Sequence, residues 1–182
     1  MELLIIILLV LLNGVFAMSE MSLVSSRKFK LENAARKGST SAKKAVELSE
    51  NPTKFLSTVQ IGITLIGILL GVYSGENLTN DFRNFLNQFA IIQPYSKTLS
   101  TIGIVIFITY LSILLGELLP KRIAMTFPER IITLLAKPMD ILSKITSPFV
   151  LLLTTSNNVL LKVLGIKSTS DSIITEEEIK SI

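Results

Sequence analysis

Three uncharged apolar runs dominate the hydrophobic pattern, at residues 3–19, 55–75 and 98–116. Each is close to the roughly 20 apolar residues that cross a bilayer core as a helix. The pattern therefore predicts an all-α membrane protein with three transmembrane helices, at about 3–26, 52–74 and 97–126. A fourth uncharged run, 145–161, is interrupted by Pro148 and by several Thr, Ser and Asn residues. This interruption favours an interfacial or re-entrant segment.

The first run has a second interpretation, as a cleaved signal peptide. Val15-Phe16-Ala17 resembles a cleavage site, and the apolar stretch before it has a suitable length. However, the residues before the run include Glu2 and no Lys or Arg, whereas cations crowd the segment that follows it. We therefore favour an uncleaved membrane helix.

The distribution of cations predicts the orientation of the helices. Residues 27–54 contain eight Lys and Arg residues, whereas residues 74–97 contain only Arg83 and Lys97. Because cytoplasmic loops carry the excess of Lys and Arg, the N-terminus is expected outside and the C-terminus inside. The net charge of +4 then reflects the membrane topology and contact with the lipid bilayer, and no nucleic-acid partner is expected.

The segments between and after the runs predict a juxtamembrane belt of amphipathic helices. Residues 27–50 favour a helical hairpin that is broken at Gly38-Ser39, and residues 128–165 mix apolar runs with charges and prolines. We assign residues 1–166 to a transmembrane domain. Residues 167–182 contain a capping box at 175–178 and are expected to begin a cytoplasmic acidic helical region that is truncated here.

Composition excludes several classes of chemistry. The chain contains no Cys and no His, so thiolate metal sites and the usual zinc, haem and His-based catalytic sites are not expected. It also shows no paired carboxylates within the membrane and no nucleophile–base spacing. We therefore expect no enzymatic activity.

The best candidate for chemistry is the end of the third run, Gly116-Glu117-Leu118-Leu119-Pro120-Lys121. A carboxylate in a membrane helix is energetically unfavourable and is usually functional. Pro120 has no N–H, so the Gly116 carbonyl loses its helical partner. Carboxylate and carbonyl oxygens are ligands that hard cations prefer. The alternative is that Glu117 pairs with Lys121 one turn later and acts as a structural anchor.

Polar side chains of the other two helices are expected at a similar depth. Ser19, Ser22 and Ser26 share one face of the first helix, with Glu20 nearby, and Ser57, Gln60 and Thr64 form a stripe on the second helix, with Thr58 beside it. Together with Glu117 they could enclose a cation. Alternatively, each hydroxyl only bonds a carbonyl of its own helix, and Glu20 is solvated or paired with Lys28.

Three motifs follow one another along the chain: residues 13–20 (NGVFAMSE), residues 52–57 (PTKFLS) leading into 60–65 (QIGITL), and residues 116–121 (GELLPK) with Pro128-Glu129. In this order they resemble the CorC/CNNM family, in its transmembrane domain, also called domain of unknown function twenty-one. The resemblance implies a homodimeric, multi-pass magnesium transporter of the plasma (inner) membrane, mainly an exporter and driven by sodium. It also implies that a pair of CBS domains binding ATP–magnesium, absent from this chain, follows the acidic region.

The resemblance also assigns an ion pocket. It implies magnesium ligands at Ser19, at Ser57 or Thr58, and at Gly116 and Glu117. From their positions in the sequence, Ser22, Gln60, Thr64 and Glu20 are further candidates for the pocket. Pro120 would be the hinge. The alternative to transport is a membrane sensor or scaffold that binds magnesium in the same pocket without moving it across the membrane.

Overall fold

The described part of the protein is helical throughout and contains no strand. The computed structural model describes residues 2–73, 77–89 and 93–165. In chain order the helices are α1 (Glu2–Ser25), α2 (Lys28–Arg36), α3 (Thr40–Glu50), α4 (Pro52–Tyr73), α5 (Asn77–Leu86), α6 (Ser96–Ile113), α7 (Leu119–Thr126) and α8 (Pro128–Val163). A short 3-10 turn precedes α6, and a π-helical turn, Leu114–Leu118, joins α6 to α7. The prediction of an all-α fold is confirmed.

Three helical segments are long and apolar enough to cross a membrane. They are Leu3–Ser25, Pro52–Tyr73 and Gln93–Thr126. The first two correspond to α1 and α4, and the third is a continuous rod formed by the 3-10 turn, α6, the π turn and α7. The predicted number of spanning helices is therefore confirmed, while the side of the membrane on which each terminus lies remains a prediction.

Helix α1 makes the main contacts between the spans. It packs along α4 on one side, and against the π turn and α7 on another. At the contact with α4, the Phe16 ring lies over Gly62, where an added Cβ would be 2.6 Å from the ring. The buried apolar cluster of the chain includes Ile6, Val10 and Phe16 of α1 and Phe55, Val59 and Ile66 of α4. Helix α1 therefore connects the second and third spans.

The segment between α1 and α4 is a helical hairpin, with its break at the predicted Gly38-Ser39. Gly38 has a φ of +93°, a left-handed conformation that glycine adopts without steric cost. The Ser39 side chain then caps α3 by accepting a hydrogen bond from the Ala42 N–H at 3.2 Å. The hairpin closes over a small apolar core of Leu31, Ala42, Ala45 and Leu48.

Helix α8 is one continuous helix of 36 residues, whereas the sequence predicted several shorter juxtamembrane helices. Pro138 removes one N–H from its ladder, which leaves the Leu134 carbonyl without its usual partner. Because Leu134 is 75% exposed, water or lipid headgroups can reach this position, and the helix continues through it. The chain divides into two compact units after Ser143. The second unit, as far as it is described, is the rest of α8, where residues 151–160 are exposed.

Two ion pairs fasten the hairpin to the first part of α8. The Lys30 ammonium lies 3.1 Å from the Glu129 carboxylate, and the Lys44 ammonium lies 3.6 Å from the Asp140 carboxylate. Lys44 also donates a hydrogen bond to Glu47 within α3. The hydrogen bond to Glu47 is the main reason why the pKa of Lys44 is raised above its ordinary value.

The Lys30–Glu129 pair predicts a pH-dependent stability. Partial burial raises the pKa of Glu129, but hydrogen bonds from Lys30 and from backbone N–H groups lower it, and the net pKa lies below the ordinary 4.5. A carboxylate with a lowered pKa stabilises the fold above 4.5, and this contribution is lost as the pH falls through the folded-state pKa. Glu129→Gln should therefore lower the melting temperature in detergent at neutral pH by a few degrees at most, because partly exposed pairs contribute about 1 kcal/mol or less.

The measurement is the melting temperature of the wild-type protein and of Glu129→Gln, from neutral pH to well below 4.5. The difference between them should shrink as the pH falls. Glu50→Gln is the matched control, because Glu50 is more exposed and its distance to Lys28 is 3.8 Å. A difference for Glu129→Gln that does not change with pH would show that this ion pair is not its cause.

Candidate cation site

The third span changes its helical geometry where the sequence places its carboxylate. Residues Leu114–Leu118 form a π-helical turn, in which the Leu119 N–H donates to the Leu114 carbonyl five residues earlier. Pro120 follows at once and is buried, and without an N–H it cannot pair with the Gly116 carbonyl. Single π turns within α-helices are frequent at functional sites. The turn and Pro120 together open the hydrogen-bond ladder beside Glu117.

Asn13 of α1 supplies the partner that the Gly116 carbonyl lacks. Its side-chain Nδ2 donates to the Gly116 oxygen at 3.0 Å, although the two residues are 103 positions apart in sequence. Asn13 was not among the predicted pocket residues, although it begins the first of the three motifs. The signal that could have found it is an amide next to Gly14 within an otherwise apolar run. Because a carbonyl oxygen has two lone pairs, the bond from Asn13 leaves Gly116 able to bind a cation as well.

Two glycines allow α1 and the third span to approach closely at this point. A Cβ added at Gly14 would lie 2.9 Å from Pro120 Cγ and 3.2 Å from the Leu115 carbonyl oxygen. A Cβ added at Gly116 would lie 3.1 Å from the Asn13 amide nitrogen. Small residues at a helix crossing bring the backbones together in this way. We call this contact, made by Asn13, Gly14, Gly116 and Pro120, the α1–π crossing.

Three of the predicted hydroxyl residues are buried. Ser19 and Ser22 are fully buried, and each donates its hydroxyl hydrogen within α1, Ser19 to the Phe16 carbonyl at 2.8 Å and Ser22 to the Ser19 carbonyl at 3.0 Å. Thr58 is buried in α4 and donates to the Lys54 carbonyl at 3.0 Å. Each of these three hydroxyls thus bonds a carbonyl of its own helix, as the alternative interpretation of the sequence anticipated. A hydroxyl that donates its hydrogen still carries lone pairs on oxygen, so the same groups can also bind a cation.

Glu117 is paired with Lys121, as the alternative interpretation of the sequence anticipated. The Lys121 ammonium donates to Glu117 Oε1 at 2.8 Å, and the Glu117 side chain is 49% exposed. The Lys121 ammonium is also attracted electrostatically by the carboxylate of Glu20, which is half-buried near the end of α1. Lys121 therefore interacts electrostatically with both candidate carboxylates, Glu117 and Glu20.

The remaining candidates lie on the outer side of α4. Ser57 is half-buried, whereas Gln60 and Thr64 are exposed. The stripe continues through Gly67 and Gly71, where an added Cβ would meet no atom within 4 Å. There is therefore open space for a side chain at both glycines.

The described residues contain no group of three or more Asp, Glu, His or Cys that could hold a metal ion. A cation bound among the described residues would therefore have at most two such side chains as ligands. A groove of about 380 Å³ is lined by Gly67, Gly71 and residues of α6, and an apolar groove of about 140 Å³ lies between α1 and α6. Neither groove includes Ser19, Thr58 or Glu117. These three residues belong to packed or surface positions outside the two grooves.

Comparison with known proteins gives a family match and several curated relatives. Residues 4–182 match the family described as CNNM, Cyclin M transmembrane N-terminal domain. The chain is 46% identical over 180 residues to the UPF0053 protein sll0260 of Synechocystis, covering 99% of this chain and 40% of that protein. It is 31% identical over 177 residues to the polyamine export protein of Haemophilus influenzae, covering 97% and 41% respectively.

A third relative is the UPF0053 protein YugS of Bacillus subtilis, 28% identical over 184 residues, with coverage of 100% of this chain and 43% of that protein. The chain thus spans about two fifths of the length of these curated relatives.

Proposed function

The chain belongs to the CNNM transmembrane domain family, and from this membership and the α1–π crossing we propose that it transports magnesium across the membrane. The observation that carries the proposal is the Gly116 carbonyl, which Pro120 deprives of its helical partner and which directly precedes Glu117 in the chain. Carbonyl and carboxylate oxygens are the ligands that hard cations prefer, and this supports the proposal. Relatives named as export proteins support a role in transport.

In the proposed ion-bound state, magnesium binds the Gly116 carbonyl and the Glu117 carboxylate, with hydroxyls of Ser19 and of Ser57 or Thr58. Magnesium prefers octahedral oxygen coordination at about 2.0–2.1 Å and keeps several of its waters. Ser22, Gln60, Thr64 and Glu20 are the proposed additional pocket residues. A site with a single direct carboxylate binds weakly, which suits the release that transport requires.

The proposed site has to change between its ion-free and ion-bound states. Glu117 is held by Lys121 at 2.8 Å, so binding of magnesium by Glu117 has to compete with this ammonium group. Ser19 and Thr58 are buried on α1 and α4, so an ion can reach their hydroxyl oxygens only if the helices shift. We propose that this shift is hinged at the π turn and Pro120, and that it opens the site alternately to the two sides of the membrane.

A polyamine is the second candidate substrate. The polyamine export proteins of Haemophilus influenzae and Escherichia coli are 31% and 29% identical to this chain. The Lys121 ammonium on Glu117 shows that this carboxylate accepts an ammonium group, which is the group a polyamine would offer. A magnesium sensor or scaffold that transports nothing remains the third candidate.

The experiment is a flux measurement with the purified protein in liposomes, using a magnesium indicator and, separately, radiolabelled spermidine. We expect magnesium flux that exceeds empty liposomes and rises when an opposing sodium gradient is imposed, with spermidine flux at the background level. Spermidine flux without magnesium flux would replace magnesium by a polyamine as substrate. Magnesium binding without any flux would indicate the sensor.

The remaining parts of the proposal concern the whole protein. We propose a homodimer in the plasma membrane with the N-terminus outside, so that the cation-rich hairpin lies in the cytoplasm. The predicted acidic region at 167–182 falls outside the described residues. Regulation by ATP–magnesium through CBS domains would belong to segments beyond this chain.

A further inference from the structure

The α2–α3 hairpin and the residues that flank it carry more cations than acids. Residues 27–54 contain eight Lys and Arg residues but only three carboxylates. Three of the cations are paired: Lys30 with Glu129, Lys44 with Glu47 and Asp140, and Lys28 with Glu50. The five others make no ion pair within the described residues, and all are exposed: Arg27, Arg36, Lys37, Lys43 and Lys54.

An exposed aromatic ring accompanies these cations. Phe29 of α2 is 73% exposed. It lies on the same side of α2 as Arg36, seven residues later, and away from Leu31, which is buried in the hairpin core. A cationic helix with a bulky apolar side chain on its exposed surface is typical of helices that lie in the membrane interface.

The connections of the hairpin keep it close to the bilayer. Only Ser26 and Arg27 separate α1 from α2, and only Asn51 separates α3 from α4. Its contacts with α8 use Lys30 and Lys44, so the five unpaired cations are not occupied by that helix. The hairpin is thus connected directly to the spans α1 and α4, and its excess positive charge is not neutralised by α8.

From these observations we propose that the hairpin and its flanking residues bind the headgroups of anionic phospholipids, through Phe29 and the five unpaired cations. Phosphate groups of such lipids complement the charge of the hairpin, and anionic headgroups attract Lys and Arg residues that lie within a Debye length of the surface. Phe29 inserts at the boundary between headgroups and acyl chains. The lipid thereby holds the hairpin against the membrane at the shared end of α1 and α4.

The absence of tryptophan from the chain allows a direct test. Phe29→Trp introduces a single fluorophore, and the protein is reconstituted in phosphatidylcholine bilayers that contain an equal fraction of either brominated phosphatidylglycerol or brominated phosphatidylcholine. We expect quenching by the brominated anionic lipid to exceed quenching by the zwitterionic one by at least about twofold. The combined change Arg36→Gln, Lys37→Gln and Lys43→Gln should bring this ratio close to one, as should high salt.

Phe107→Trp is the matched control, because Phe107 is exposed on the spanning helix α6 and far in sequence from the cations. Its quenching ratio should be close to one with or without the three charge changes. Equal quenching of Phe29→Trp by the two lipids, or a preference that survives loss of the three cations, would overturn the proposal. Quenching by neither lipid would overturn it as well, and would show that a protein segment covers the hairpin surface.

Discussion

Glu117→Gln is expected to lower magnesium affinity and magnesium flux by at least about 10- to 100-fold, the range found when even outer-shell partners of a metal are removed. The amide keeps the size of the side chain but removes its negative charge. The remaining direct ligands of the proposed site are then neutral oxygens, which compete weakly with the waters that magnesium holds. Affinity is measured by titration calorimetry and flux in liposomes.

Lys121→Gln is the control that separates a ligand from an anchor. It removes the ammonium group that holds Glu117 at 2.8 Å but leaves the carboxylate in place. If Glu117 binds magnesium, Lys121→Gln should retain or increase magnesium affinity, because a competing cation is gone. Equal loss of melting temperature in both variants, with magnesium affinity unchanged in both, would mean that the pair is only a structural anchor.

Asn13→Leu should destabilise the protein, because it removes the donor to the Gly116 carbonyl while nearly keeping the volume of the side chain. A buried carbonyl left without a partner costs about 1–3 kcal/mol. Gly116 is buried at the α1–π crossing, and the bond from Asn13 is 3.0 Å long. We expect a lower melting temperature in detergent than for the wild-type protein. Because the chain contains no cysteine, unfolding is followed by light scattering or with a dye that does not react with thiols.

The physical cause is tested by combining this change with Pro120→Ala. Alanine restores an N–H at position 120, which can bond the Gly116 carbonyl within the helix. In the Pro120→Ala background, Asn13→Leu should therefore be less harmful, with a coupling of about 1 kcal/mol or more in the double-mutant cycle. Additive effects of the two changes would show that Asn13 stabilises the crossing by packing and not by bonding this carbonyl.

The sequence was sufficient for the local features of this fold. The lengths of the uncharged runs predicted the three spans, and Gly38-Ser39 predicted the turn of the hairpin, since each depends on neighbouring residues. The spacing of Glu117 and Lys121 likewise made their pairing one of two open interpretations. Pro120 showed that the Gly116 carbonyl would need a new partner.

The sequence did not predict features that depend on how the helices are rotated against each other. Asn13 pairs with a carbonyl 103 residues away, which no local pattern specifies. Thr58 is buried but its neighbour Ser57 is only half-buried, because successive residues on a helix point about 100° apart. Gln60 and Thr64 are exposed on α4, which their spacing along the helix did not indicate. A periodic pattern of residues in the sequence shows which side chains share a helix face, but it does not show which other helix that face contacts.

The proposed cation site is tested most directly by an experimental structure with manganese in place of magnesium, located by its anomalous scattering. The proposal predicts a manganese peak within about 2.0–2.4 Å of the Gly116 carbonyl oxygen and a Glu117 carboxylate oxygen, with Lys121 displaced from Glu117. A peak at other residues, or no peak while Lys121 remains bound to Glu117, would contradict it.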